Sequence, residues 1–175
     1  FYDPHLSARL DDRYRDTPIS GSLETLITDY RPDIALVTLP NVATPGAIET
    51  LADAGVHMLV DKPGAPNRAA SRRAFGVARD RNVKVATGLL RRYGRGWQYA
   101  HQMCRDGRPG QLLSTETIFN TSSPFVRDPA NHLFSNELQG GGILLWLGIH
   151  EVDQLLWLTG EQIVEVQGLA GQVNQ

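Results

Sequence analysis

Three short apolar runs alternate with two longer helical segments in the first half of the chain, and this alternation most constrains the fold. The runs cover residues 33–39, 56–60 and 83–88 and are rich in β-branched side chains; residues 44–54 and 66–80 lie between them. Strands joined by helices of this length predict parallel βαβ units, here with buried strands. We therefore expect right-handed crossovers, with ligands bound beyond the carboxyl ends of the strands.

Local signals mark where several of these helices begin and end. Residues 6–15 have apolar side chains at helical spacing, Ser22 is a predicted N-cap, and Gly55 is a typical C-terminal glycine. From residue 111 the pattern changes. Residues 112–119 alternate like a half-exposed strand, 143–158 predict a helix ending at Thr159–Gly160, and 163–168 predict another strand. We expect one α/β domain over 1–110 and the start of a second, α+β domain over 111–175.

The composition is that of an ordinary globular protein, with 41% hydrophobic and 21% charged residues among 175. A net charge of −2 gives no reason to expect nucleic acid or an anionic membrane as a partner. The single cysteine, Cys104, is compatible with a reducing, cytoplasmic location. No apolar stretch is long enough for a bilayer, and Phe1–Pro4 does not resemble a signal peptide. The abrupt start suggests a fragment.

Polar residues with possible chemistry follow the predicted strands. Lys62 lies between Asp61 and Pro63, where it is either a surface lysine or a group that binds an anion, a hydroxyl or a proton. Pro40–Asn41 is a turn signal whose amide could contact a ribose or a nicotinamide. For Arg91 and Arg92 we expect that at least one is simply solvated.

A single histidine interrupts the most apolar helix. Gly140–Gly142 precede this helix, and His150 shares the face of Ile143 and Leu147 if the spacing is α-helical. Either the imidazole is buried, neutral and hydrogen-bonded, or it serves proton transfer in a cleft. The five histidines and Cys104 do not show metal-ligand spacing, so no metal is expected. A P-loop, a nucleophile elbow and the glycine-rich dinucleotide fingerprint are also absent from the sequence.

These motifs together resemble one family. The chain resembles the glucose–fructose oxidoreductase/inositol dehydrogenase (Gfo/Idh/MocA) family in four motifs, which occur in the family's order. They are Leu39–Asn41, Ala54–Pro63, Arg91–Tyr93, and Gly140–Gly142 with His150 and Asp153. The resemblance implies a partial Rossmann-type parallel sheet without its first βαβ unit. The beginning of a C-terminal α+β domain with a largely antiparallel sheet would follow, so that the chain is truncated at both ends. It also implies an NAD or NADP cofactor, a sugar or polyol substrate and a homodimer or homotetramer.

The resemblance also assigns roles to individual residues. Lys62 corresponds to the lysine beside the nicotinamide and the reacting hydroxyl, and His150 to the acid/base; both, with Asp153, are expected to touch the substrate. The residues expected to bind the cofactor are Asp3, Leu39, Pro40, Asn41, Asp61, Lys62, Arg91 and Trp146. Asp3 corresponds to the acid that holds the adenosine ribose.

Two departures from the family pattern bear on the function. Trp146 stands where the family often has an aspartate, which reduces a Lys–Asp–His triad to a Lys–His pair, and its ring could stack on the nicotinamide or a sugar face. Asp153 could orient His150 or form a salt bridge elsewhere. Thr44 stands where the family frequently has a histidine.

The resemblance implies a dehydrogenase acting on a secondary alcohol. The alternatives are a glycosidase that uses NAD for transient oxidation and a non-catalytic dinucleotide-binding subunit.

Overall fold

The computed structural model describes Tyr2, Tyr14, residues 16–128 and residues 130–171, with only the backbone described for residues 123, 124, 132 and 136. The chain forms two compact units. The first comprises Phe1–Gly88 and Ser122–Leu147, and the second Leu89–Thr121 and Gly148–Gln175. The expected domain division between residues 110 and 111 stays a prediction.

The first unit is built on a three-stranded parallel sheet. Strands β1 (Ile34–Val37), β2 (His57–Val60) and β3 (Val85–Thr87) lie in this order. Ile34 pairs with His57 at the start of one ladder, and Met58 pairs with Val85 in the other. Helices α2 (Thr44–Asp53) and α3 (Arg68–Asp80) connect the strands. The α/β class with a parallel sheet is confirmed.

The helix ends follow the signals in the sequence. Helix α1 (Leu23–Tyr30) begins after Ser22, whose Oγ accepts a hydrogen bond from the Thr25 N–H at 2.9 Å, as predicted for an N-cap. Gly55 follows α2 with φ 76°, a conformation that favours glycine. The predicted helix over residues 6–15 lies outside the described residues, apart from Tyr14.

The core of this unit lies between the sheet and α2 and α3. Ile48, Leu51 and Val60 are almost completely buried, and each contributes about 1.5–3 kcal/mol by burial. The prediction that the strands are buried throughout is wrong for β1, where Ile34 and Leu36 are both 69% exposed. Successive side chains of a strand point to opposite faces, and this core covers only the face to which Val37 and Val60 belong.

The first unit also contains a distant segment of the chain. Within residues 122–147 lie two single helical turns, α5 (Ser123–Val126) and α6 (Asn136–Gln139), and a 3₁₀ turn over His132–Phe134. A π-helical turn then covers Leu144–Gly148. The α-helical spacing expected from Ile143 to His150 is therefore not kept, because a π turn contains more residues than an α turn.

The second unit is helical in its regular parts. A 3₁₀ turn over Leu90–Tyr93 precedes α4 (Arg95–Arg105), and α7 (Ile149–Thr159) packs against α4. The His101 and Trp157 rings stack with centroids 4.2 Å apart. Helix α7 ends at Gly160 with φ 70°, as predicted.

The two strands predicted in the second half are absent from the structure. Residues 112–121 and 161–171 have no regular secondary structure, and Leu113 and Val164 are 86% and 96% exposed. A strand requires a neighbour for its backbone N–H and C=O groups, and neither segment has one among the described residues. The start of an antiparallel sheet is therefore not seen in this part of the chain.

Candidate functional site

The parallel sheet brings the ends of its strands to one edge of the first unit. Beyond β1 and β2 the ladders continue, because the Asp61 N–H donates to the Val37 carbonyl and the Gly88 N–H to the Val60 carbonyl, both at 2.8 Å. Leu39–Asn41, Asp61–Lys62 and Gly88 follow the three strands at this edge, which is where parallel α/β folds bind ligands.

Trp146, which stands where the family often has an aspartate, holds Lys62 in place. Lys62 Nζ donates to the backbone carbonyl of Trp146 at 2.6 Å and lies 5.3 Å from the centroid of the Trp146 ring. Burial lowers the pKa of Lys62 below its usual value, and the negative charge of Asp61 partly opposes this effect. Lys62 is thus a partly desolvated, positioned ammonium group, in contrast to a freely solvated surface lysine.

Asp61 stabilises the turn that carries Lys62. Its Oδ1 accepts a hydrogen bond from the Lys62 N–H at 2.8 Å, and its side chain is exposed. A Cβ atom placed on Gly88 would lie 3.4 Å from this oxygen. The carboxylate therefore acts within its own turn.

Asn41 is buried, and its amide nitrogen is fully used inside the protein. The Nδ2 group donates to the backbone oxygen of Gln139 at 3.0 Å and to its Oε1 at 2.7 Å. Its two N–H groups are therefore not available to a ribose or nicotinamide in this arrangement. Gln139 was not foreseen from the sequence, where it stands 98 residues away without any motif of its own.

Leu39 and Pro40 border a cavity of about 460 Å³. The first turns of α1 and α2 form much of its remaining wall, and α2 begins without a side-chain cap. Thr44 Oγ1 donates to the Leu39 and Pro40 carbonyls at 3.1 Å and thereby fixes the turn. The volume suits part of a dinucleotide, and the apolar and small residues of the wall fit this cofactor.

The Trp146 ring carries a second cation that the sequence did not reveal. The Arg127 guanidinium carbon lies 4.7 Å from the ring centroid, on the same ring that Lys62 approaches. Arg127 Nε is buried and has no hydrogen-bond partner among the described residues. Nothing in the local sequence distinguishes Arg127 from the other arginines, because its partner ring is 19 positions further along the chain.

In the second unit, Asp153 and Arg92 form an ion pair. Arg92 Nε donates to Asp153 Oδ2 at 2.9 Å, and Arg92 Nη2 donates to Oδ1. The hydrogen bond from Asp153 raises the pKa of Arg92. Asp153 therefore forms a salt bridge, which is one of the roles considered for it. His150 and Asp153 are both buried on α7.

Arg91 binds α7 as well. Its Nη1 donates to Glu151 Oε1 at 2.5 Å and to Gln154 Oε1 at 2.9 Å. The expectation that Arg91 or Arg92 is merely solvated is therefore wrong, since both are paired. Glu151 and Gln154 were missed by sequence reasoning, although their spacing of three on one helix predicts a shared face.

The last of the expected site residues, Asp3, lies outside the described residues. In the part of the chain that the structure describes, no three His, Cys, Asp or Glu residues are grouped so as to hold a metal ion. No helix in the described ranges is both long and apolar enough to cross a bilayer.

A parallel α/β sheet with a cavity beyond the carboxyl end of β1 is typical of nucleotide-binding Rossmann-like proteins. Residues 2–89 match the oxidoreductase family described as having an NAD-binding Rossmann fold, and residues 97–175 match the GFO/IDH/MocA C-terminal domain. The chain belongs to the GFO/IDH/MocA oxidoreductase family. The resemblance inferred from its motifs is confirmed, and so is the expectation of an NAD-binding fold.

Similar curated proteins include two from bacteria. The chain is 30% identical to "Myo-inositol dehydrogenase Hyg17" of Streptomyces leeuwenhoekii over 164 residues, which are 94% of this chain and 48% of that protein. It is 28% identical to "Rhizopine catabolism protein MocA" of Rhizobium meliloti over 91% of this chain and 48% of that protein. The chain thus spans about half the length of these curated relatives.

Solved structures show the same fold. A levoglucosan dehydrogenase in complex with NADH and levoglucosan matches with a TM-score of 0.78 and 21% identity, over 91% of this chain and 43% of the other. A putative NADPH-dependent oxidoreductase from Desulfitobacterium hafniense matches with a TM-score of 0.75 and 25% identity, over 85% of this chain and 42% of the other.

Proposed function

We propose that the protein is an NAD(P)-dependent oxidoreductase that transfers hydride between the nicotinamide and a secondary alcohol or carbonyl carbon of a sugar, cyclitol or related polyol. The observation that carries this proposal is Lys62, a partly desolvated ammonium at the carboxyl end of a Rossmann strand. The names of the relatives support the substrate class, since they include an inositol dehydrogenase and a D-glucoside 3-dehydrogenase.

The chemistry divides between two side chains. The bound nicotinamide supplies hydride transfer. Lys62 binds the reacting hydroxyl and stabilises the alkoxide that develops on its oxygen, which a lysine does well in a site of low polarity. His150 takes the hydroxyl proton during oxidation and returns it during reduction. Asp153 keeps α7 attached to Arg92 and serves the substrate only indirectly.

Cofactor binding is assigned to the edge of the sheet. Leu39 and Pro40 border the cavity for the dinucleotide, while Asn41 holds their turn through Gln139. Asp61 fixes the backbone of Lys62, and Trp146 fixes its ammonium. Asp3 and Arg91 are retained as further candidates for cofactor contacts.

The test compares Lys62→Ala and His150→Ala with Lys84→Ala. Lys84 is an exposed lysine of the first unit. Each site variant should lower kcat by at least about 100-fold, because general acid–base groups contribute roughly 10²–10⁴. NAD(P)H affinity, measured by fluorescence, should change far less, and Lys84→Ala should retain full activity.

Reduction of NAD(P) with a panel of polyols and sugars provides the readout. Accumulation of NAD(P)H supports a dehydrogenase, whereas glycoside cleavage without net NADH indicates the glycosidase alternative. Cofactor binding without any turnover indicates a dinucleotide-binding subunit. Wild-type turnover in both site variants rules out the assigned roles of Lys62 and His150.

We also propose a cytoplasmic homodimer or homotetramer. The exposed, unpaired Cys104 supports a reducing compartment, and the family resemblance supports self-association. Light scattering during size-exclusion chromatography tests the oligomeric state, and a monomer at all concentrations contradicts it.

A further inference from the structure

Two cations approach one aromatic ring in the first unit, and no acid in the described residues pairs with the second of them. Lys62 Nζ and the Arg127 guanidinium lie 5.3 Å and 4.7 Å from the centroid of Trp146. Cation–π attraction stabilises each of them by only about 0.5–2 kcal/mol, and like charges close together repel. The ring alone therefore does not account for this arrangement.

The acids that neighbour the two cations in sequence, Asp128 and Asp61, accept hydrogen bonds within their own turns. Asp128 Oδ1 accepts a hydrogen bond from the Ala130 N–H at 2.9 Å, and Asp61 Oδ1 accepts one from the Lys62 N–H. The ion pairs of the described residues do not include Arg127. Within the described part of the chain, the Arg127 guanidinium therefore has no ion-pair partner.

The donors of Arg127 are also unsatisfied in part. Its Nε is buried without a hydrogen-bond partner among the described residues. A buried donor that loses water without gaining a partner is costly, and structures usually compensate for it. A guanidinium presents its N–H groups in a planar fork that matches a carboxylate or a phosphate.

We propose that Arg127 is a specificity-determining residue that binds a carboxylate or phosphate group on the alcohol substrate, next to Lys62 on the Trp146 ring. This inference rests on the proposed function, because it assumes that the reacting hydroxyl lies at Lys62. It narrows the substrate class to acidic sugars or polyols. Their distances to one centroid put the Lys62 Nζ and the Arg127 guanidinium carbon no more than about 10 Å apart, a separation that one small molecule can bridge.

The experiment measures binding to the full chain by calorimetry in the presence of NADH. Glucose is the neutral probe, and glucuronate and glucose 6-phosphate carry the two kinds of anionic group. Wild type should bind at least one acidic probe about tenfold or more tightly than glucose, with a difference that shrinks as salt rises. The two acidic probes distinguish a carboxylate site from a phosphate site.

Substitution of Arg127 should remove this preference. Arg127→Gln should weaken binding of the preferred acid at least about 30-fold, as expected when one partner of a desolvated charge pair is removed. Glucose binding should hardly change. Arg127→Lys should recover part of the loss, since it keeps the charge without the fork. Arg72→Gln, at an exposed arginine of α3, is the matched control.

Three results overturn the inference: equal affinity for neutral and acidic probes, no binding of either acid by folded wild type, or equal effects of Arg127→Gln and Arg72→Gln. Circular dichroism and thermal melting establish that each variant is folded. If the acid binds through Arg127 but no polyol is oxidised, the dehydrogenase proposal fails and the anion site stands. If neutral polyols are oxidised and Arg127→Gln does not change the affinity for either acidic probe, the dehydrogenase proposal stands and the anion site fails.

Discussion

Asp153 is a buried carboxylate whose charge is compensated by one arginine. Its side chain is 9% exposed, and both of its oxygens accept hydrogen bonds from Arg92. Burial of an isolated carboxylate is costly, so the pair is essential to the local structure even if its net contribution is modest. The pair attaches the turn over Leu90–Tyr93 to α7, the helix that also carries His150.

Arg92→Ala should destabilise the protein by about 2 kcal/mol, because Asp153 would be left buried without a partner. The estimate is below that for a fully buried pair, since Arg92 is 40% exposed and partly solvated. Urea denaturation measures the change. Arg95→Ala, at an exposed arginine of α4, should stay within about 0.5 kcal/mol. Equal effects of the two changes would show that the ion pair contributes nothing.

At the scale of elements, the glycines before the π turn are not equivalent. A Cβ atom on Gly140 would lie 2.5 Å from the Pro66 carbonyl oxygen, whereas one on Gly142 would meet nothing within 4 Å. Both glycines have positive φ, 84° and 58°. Gly140 therefore allows two backbone segments to approach closely, and Gly142 serves only a backbone conformation.

Gly140→Ala should cost about 3 kcal/mol, from left-handed strain together with a clash against backbone that cannot move easily. Gly142→Ala should cost about 1 kcal/mol, from the backbone conformation alone. Chemical denaturation of both variants gives the comparison. A smaller loss for Gly140→Ala than for Gly142→Ala would contradict the close approach to Pro66.

At the scale of the molecule, residues 122–147 belong to the same compact unit as the parallel sheet. Among the described residues, Asn41 contacts Gln139 and Lys62 contacts Trp146 beyond the strand ends, and Gly140 closely approaches Pro66 just before α3. The residues proposed to bind the cofactor and the substrate hydroxyl are thus held partly by chain that follows them by about 80 to 100 positions.

Asn41→Ala should loosen this segment. The change removes two buried hydrogen bonds and leaves the Gln139 side chain without its partner, at a cost of about 2 kcal/mol. Hydrogen exchange should become faster in peptides from residues 132–147 and stay unchanged in α1. Val42→Ala is the control, because Val42 is an exposed neighbour. Unchanged exchange over 132–147 would show that other contacts hold the segment.

The sequence by itself determined what depends on neighbours along the chain. The strand–helix alternation predicted the parallel sheet, Ser22 and Gly160 predicted helix ends, and Lys62 was placed at the end of β2. These features follow from periodicity, capping and the fixed order of βαβ units.

The tertiary structure decided which polar groups meet. Two such contacts join Arg127 to the Trp146 ring, 19 positions away, and Asn41 to Gln139, 98 positions away. No local pattern in the sequence encodes contacts over these separations. The strands predicted over 112–119 and 163–168 failed for a related reason, because alternation supplies a face for a strand but not the neighbour that its backbone needs. Local chemistry thus set the elements, and long-range packing set the partners of the site.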